Sequence, residues 1–281
     1  MSRAGALALA LSAASCVPRA PPPDLSLDPA QLHSQVERTR AGVRSVQGEA
    51  RVRIESDAFS GTVRQFLAAE KPDRLRLEAL DFFGNPAVVL VTEGGRLGLY
   101  DARERVFYRG EATAENLSRL VPVALAPRDL VTILCGSAPL LPGTPARAEP
   151  GRGVVRLSLE SEEAVQWLEV GPGAAVASSR VRGRGGERLA GAPDLAFRAF
   201  RTEGGAPFPG EIRLSSQDPA VEVRLEWRSV EPNVEADGSL FRLEPPRGAR
   251  VVELDRGGVV PPAPPPAQPA AESPPPRAGP H

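Results

Sequence analysis

Lysine, histidine and cysteine are almost missing from this chain of 281 residues. Lys71 is its single lysine, His33 and His281 its histidines, Cys16 and Cys135 its cysteines. Two cysteines make no disulfide framework. Two histidines, one of them the last residue, offer no cluster with metal-ligand spacing and little from which to build a Ser–His–Asp arrangement. The net charge is −1, so no overall field draws the chain to nucleic acid, and the interspersed charges read as ordinary solvated surface. No G-x-S-x-G elbow or G-x-x-x-x-G-K-[ST] loop occurs, and the glycine pairs fall where hairpins turn. Glu162 and Glu163 sit beside a strand end, "RGRGG" at 182–186 reads as a turn, and "NLS" at Asn116 matches a glycosylation acceptor only formally. These absences point away from an enzyme, a metal centre and a cofactor.

No apolar run approaches the about 20 residues of a membrane-spanning helix. What stands at the N-terminus is shorter. Arg3 precedes a small apolar run, Ala4–Ala14, and then Ser15 and Cys16. This has the positive and apolar regions of a secretory signal. Small residues ahead of a cysteine resemble a bacterial lipobox, which implies cleavage after residue 15 and a lipid on Cys16. The other reading is an ordinary secretory signal with an incidental cysteine. Cys135, in "LVTILCGSAP", reads as a buried inert thiol.

Four segments follow from the patterning: a signal over 1–15, a lipidated cysteine and proline-rich tether over 16–27, a folded domain over 28–256, and a disordered proline-rich tail over 257–281. Asp28 as N-cap and Pro29 at the first helical position open a helix with Leu32, Val36 and Val43 on one stripe. From residue 48 the apolar period becomes two. "ARVRIES", "DRLRLEAL" and "VEVRLEWR" alternate apolar with charged residues, as antiparallel strands with one dry face do. About a dozen such strands, broken by Gly, Pro or Asp turns, predict one large curved sheet or barrel. Residues 113–135 return to helical spacing, and their two short apolar helices are placed to cover the sheet's concave face. "ALDFFGNPAVVLV" puts Phe82 and Phe83 directly before the turn signal Gly84-Asn85-Pro86. The pair reads either as a plug folded inward at the sheet edge or as an apolar tip that probes a membrane.

From "RLRLEALDFFGNPAVVLV" through "LSRLVPVALAPRDLVTILCGSAP", a strand leads to an apolar-Gly loop, a hairpin, a helix, a Pro-containing link and a second helix. That order of parts resembles the LolA/LolB-like proteins, over roughly residues 28–230. The resemblance implies an incomplete, strongly curved antiparallel β-barrel of about eleven strands, in a mainly β (α+β) class, lidded by short helices over an apolar cavity. It implies a non-enzymatic, monomeric, lipid-anchored protein of the outer membrane, facing the periplasm. Such a protein receives acylated lipoproteins or other lipids, from a LolA-like periplasmic donor, and helps insert them in the membrane. Phe82, Phe83 and Gly84 would form the membrane-probing loop. Val52, Ile54, Leu75, Leu77, Val89, Val91, Leu97 and Leu99 would line the cavity from the sheet, and Leu117, Leu120, Leu130 and Leu134 from the lid. The competing expectation is a structural or interaction lipoprotein whose core is filled by its own side chains and whose proline tail reaches a partner or the cell wall.

Overall fold

A computed structural model describes residues 20–254 except 58, 120–123, 190, 204 and 219. Cys16, Leu120 and the proline-rich tail therefore lie outside the described residues. The chain opens with helix α1 (Pro29–Gly42), whose first turn is closed by the Asp28 carboxylate accepting from the Gln31 amide at 2.8 Å. A meander follows: β1 (Ser45–Ser56), β2 (Ser60–Glu70), β3 (Arg74–Leu80), β4 (Pro86–Glu93), β5 (Arg96–Asp101) and β6 (Val106–Glu111). Two short helices, α2 (Ala114–Ser118) and α3 (Pro127–Leu134), cross to a second meander. That comprises β7 (Thr144–Pro150), β8 (Val155–Glu160), β9 (Ala164–Val170), β10 (Val176–Gly183), β11 (Asp194–Glu203), β12 (Ala206–Gln217) and β13 (Ala220–Pro232).

The two meanders become one sheet because β13 pairs antiparallel with β1 along eleven residues, Val46 opposite Pro232 through Ser56 opposite Val221. The chain then returns to the other edge, where β14 (Arg250–Glu253) runs parallel to β6. The result is one 14-stranded sheet with β14 and β7 at its edges. It is open and strongly curved, with the helices on the concave side. The resemblance implied about eleven strands. β7, "TPARAEP", and β14, "RVVE", gave no strand signal because prolines and brevity are tolerated at a sheet edge and hide the alternation.

Alternation decides what is inside. Val46, Ala50 and Val52 of β1, Leu75 of β3, Leu90 of β4, Leu97 and Leu99 of β5 and Leu225 and Trp227 of β13 share one apolar cluster with α1 and α3. Gln166 of β9 is fully buried beside it. Its side chain accepts from the Leu141 amide (2.7 Å) and donates to the Pro139 carbonyl and the Ser179 hydroxyl, both at 2.8 Å. One side chain thus fixes the irregular segment that leads from α3 back to β7.

A second, smaller cluster lies on the convex face. After β13 the chain straps across that face, and Phe241 inserts over Ala68, Val89 and Val91. Arg74 lies over the Phe241 ring at 5.9 Å, and Arg76 donates to the Leu240 carbonyl at 2.8 Å. A further departure from expectation concerns the tether. Residues 20–27 pack on the domain: Pro22 and Leu25 are buried, and the Asp24 carboxylate accepts from the Gly173 amide at 2.8 Å. Gln35 of α1 holds the same segment through the Asp24 carbonyl (3.0 Å) and the Ser26 amide (3.1 Å). A proline-rich composition suggested a free spacer, but Leu25 has an apolar site to fill.

Candidate functional site: the aromatic turn and the lidded concave face

The strand registers define two ends of the sheet. Leu80 stands opposite Arg64, Val88 opposite Asp101, Ser56 opposite Val221 and Arg250 opposite Val106. The β3–β4 and β5–β6 turns, the β1–β2 and β12–β13 connections and the start of β14 therefore share one end, the tip end. The turns at Lys71–Asp73, Gly94–Gly95 and Pro172–Ala174 lie at the other, the far end.

At the tip end, Phe82 is 88% and Phe83 85% exposed, their rings edge-to-face at 5.6 Å. The inward-plug reading is therefore not what the structure contains. Asp81, which pattern reading overlooked, builds the turn. Its carboxylate accepts from the Asn85 and Phe83 amides at 2.8 and 2.9 Å, its carbonyl accepts from Gly84 N at 3.1 Å, and its amide donates to the Asn85 carbonyl at 2.8 Å. Those hydrogen bonds, the Asn85 amide foremost, hold its carboxyl below the usual aspartate range. Gly84 sits at φ +87°, a conformation glycine adopts without penalty. The signal was present as Asp-x-x-Gly-Asn, an aspartate placed to bond its own backbone further on.

The concave face is covered by the lid. Val52, Leu75, Leu97, Leu99, Leu117 and Leu134 are buried in the main cluster, and Ile54, Leu77 and Leu130 are partly buried against it. Val89 and Val91 are not there. They point to the convex face under Phe241, while Val88 and Leu90 of the same strand point inward. The run "AVVLV" is apolar on both faces, so alternation alone could not assign its sides. Among the described residues this face is closely packed: Leu75, Leu117 and Val131 have no exposed surface. Apolar side chains of this wall that keep some exposure occur at the tip end, as Ile54, Val88 and Val223, and at the far end, as Ala112 and Val230, with Leu77 and Leu130 also partly covered.

Leu125, also unforeseen, fastens the lid there. It is buried against Pro193, Leu214 and Val221 with a void of only about 10 Å³ between them, and Ala124 presses on Gly191. Behind α3, burial pushes the Cys135 thiol up to about 11, so it is no nucleophile at neutral pH. Lys71, whose own pKa burial lowers, donates to the Arg40 carbonyl at 2.6 Å. Among the described residues no cluster of His, Cys, Asp and Glu could hold a metal ion, and no helix is long and apolar enough to cross a membrane.

No protein-family model and no curated protein matches the sequence. Solved structures do match the fold. A Vibrio parahaemolyticus domain assigned to outer membrane lipoprotein sorting superposes with a TM-score of 0.53 at 11% identity, covering 75% of this chain and 94% of that one. A LolA superfamily protein from Nitrosomonas europaea gives 0.52 at 12% identity, covering 75% and 97%. A DUF1329 family protein from Desulfovibrio piger gives 0.51 at 12% identity, covering 77% and 98%. Identity this low speaks for architecture alone, and the architecture agrees: an open, strongly curved antiparallel sheet with helices on its concave face. The chain has the LolA-like fold.

Proposed function

We propose that this chain is a lipid-anchored, non-enzymatic protein of the outer membrane, facing the periplasm, that takes acyl chains of lipoproteins or other lipids beneath its α2–α3 lid and delivers them to the bilayer. Cys16 carries the anchor, and a LolA-like periplasmic carrier is the donor. The protein acts as a monomer. One observation carries the reading: two strongly exposed aromatic rings stand on the turn at the end of the sheet where the apolar wall residues Ile54, Val88 and Val223 are only partly covered. An acyl chain leaving that end meets Phe82 and Phe83, whose rings favour the membrane interface. No nucleotide is needed, because the chain moves from water to the protein and on to the medium that holds it better.

The complete burial of Leu75, Leu117 and Val131 favours a second reading, a structural lipoprotein with a permanently filled core and a tail that finds a partner. Trp227 separates the two. It is buried on the concave face, whereas Trp167 is half exposed on the outer surface. In the chain from residue 17 onward, Trp167→Phe leaves Trp227 as the sole reporter. A brominated fatty acid quenches Trp227 if the lid yields, and an acylated lipoprotein held by the protein passes to liposomes more slowly after Phe83→Glu. No quenching and no uptake of acylated cargo would leave the filled-core reading standing.

A further inference from the structure

We propose that the tip end of the sheet is a docking surface for an anionic lipid bilayer, formed by the Phe82–Phe83 turn together with Arg103, Arg105, Arg247 and Arg250. The proposal rests on the reading of that turn as a membrane probe and adds the headgroup charge it selects.

The four arginines converge on the aromatic turn from separate parts of the chain. Arg103 and Arg105 lie in the β5–β6 turn, two strand spacings or about 10 Å from the β3–β4 turn. The Ala102 amide donates to the Ala87 carbonyl at 2.9 Å, tying the β5–β6 turn to the strand that leaves the aromatic one. Arg247 and Arg250 arrive at the end of the convex strap. The Arg250 amide donates to the Arg105 carbonyl at 2.9 Å, and the Arg105 guanidinium lies over Gly248. All four are exposed. Among the described residues none of the four forms an ion pair, so their charges are not offset by a carboxylate in direct contact.

Of the short carboxylates at this end, Asp101 and Asp81 are engaged in capping their own turns, and Asp57 in the β1–β2 connection stays exposed. Asp101 is buried and caps its turn through the Arg103 and Glu104 amides at 2.8 and 3.1 Å. Asp81 accepts from its own turn. Glu104 is left as the exposed carboxylate of the β5–β6 turn. Arg105 also holds φ +54°, a backbone position that favours glycine or asparagine. A long cation kept there at a conformational penalty fits a surface role better than a turn role. Apolar rings that enter the interface and guanidinium groups that meet phosphate at headgroup level are complementary to one partner, a bilayer of net negative charge.

Flotation of the unlipidated chain from residue 17 onward, which contains the whole described fold, with phosphatidylcholine vesicles and with the same vesicles containing phosphatidylglycerol tests this. Binding is expected to be stronger to the anionic vesicles and to weaken with added salt. Arg103→Gln with Arg105→Asn should lower anionic-vesicle partition roughly 30-fold at low salt and leave the weak binding to neutral vesicles unchanged. Phe82→Ser with Phe83→Ser should reduce binding to both. Equal partition to the two vesicles, no change on replacing the arginines, or binding to heparin without binding to vesicles would each overturn the proposal. Quenching of Trp227 by brominated fatty acid is measured on the same variants. Loss of vesicle binding with quenching retained overturns this surface and spares the acyl-binding reading; the converse does the opposite.

Discussion

Segment 20–27, which leads back to the proposed anchor at Cys16, and the aromatic turn lie at opposite ends of the domain, and this makes the docked segment a determinant of reach. Four residue steps separate Cys16 from Ala20, at most about 14 Å of extended chain. The segment is fixed at the far end through Asp24 and Gly173. From there to the tip end the sheet runs the length of β1, 12 residues or about 40 Å. With the segment docked and the sheet upright, a lipid on Cys16 and the Phe82–Phe83 turn cannot enter the same leaflet. Releasing residues 20–27 lengthens the leash to the twelve steps between Cys16 and Asp28, about 40 Å. The dock consists of Leu25 burial, worth about 2 kcal/mol, and hydrogen bonds worth about 1 kcal/mol each. Asp24→Ala, Leu25→Ser and Gln35→Ala together remove about 5 kcal/mol, several thousandfold in the docked population. The assay uses protein tethered to vesicles by a lipid on Cys16, with Trp167 and Trp227 both changed to Phe and Phe83→Trp as reporter, and lipids brominated along the acyl chain. The triple variant is expected to quench strongly and the docked chain weakly. Equal quenching in both would refute the reasoning, because the turn would then reach the membrane without release.

Two further outcomes follow from single side chains. Gln166→Met strands the Leu141 amide and the Pro139 carbonyl in a half-buried setting and should destabilise the fold by about 2–5 kcal/mol; an unchanged urea midpoint would refute the role given to Gln166. Asp81 has a folded pKa below its ordinary 3.8, so its stabilisation of the turn is fully present above that value and is lost as pH falls through the folded one. The Gly84 amide resonance should therefore hold still from neutral pH down to about pH 5 and shift only in stronger acid, and movement near neutrality would contradict the assignment.

Much of the sheet was legible because charge and apolarity alternate cleanly in "ARVRIES", "DRLRLEAL" and "VEVRLEWR", where one face meets water and the other the core. Legibility failed where a strand is buried on both faces. Val89 and Val91 were assigned to the concavity because nothing in "AVVLV" announces that Phe241, some 150 residues later, covers the other side. Edge strands failed for the opposite reason, since β7 and β14 bury too little to need a pattern. The turn at 81–85 was readable from Gly84-Asn85-Pro86, but not its outward presentation, which Asp81 settles by tying three backbone groups around one carboxylate and one carbonyl. The docking of residues 20–27 was hidden by prolines that look like spacer until Leu25 finds its site.

The filled interior and the proposed acyl binding are compatible once the lid is treated as a competitor for its own site. A palmitoyl-length chain of about 15 carbons gains about 12 kcal/mol on leaving water, at about 0.8 kcal/mol for each methylene. Entering the concavity means displacing Leu117, Leu130, Val131 and Leu134 from the sheet, and re-exposing four such side chains costs about 8 kcal/mol. What remains, about 4 kcal/mol before the lid recovers any contact with the ligand, suits a transient carrier. A bilayer offers the chain its full transfer energy with no lid to displace, so the direction of release needs no separate driving reaction. Closure by its own leucines also keeps the empty protein from exposing the concave wall, which would otherwise be a large apolar surface in water. In the proposed mechanism the lid therefore sets affinity from the protein side: the more firmly Leu125 fastens it, the looser the cargo is held, and the Phe82–Phe83 turn governs where the cargo leaves rather than how tightly it stays.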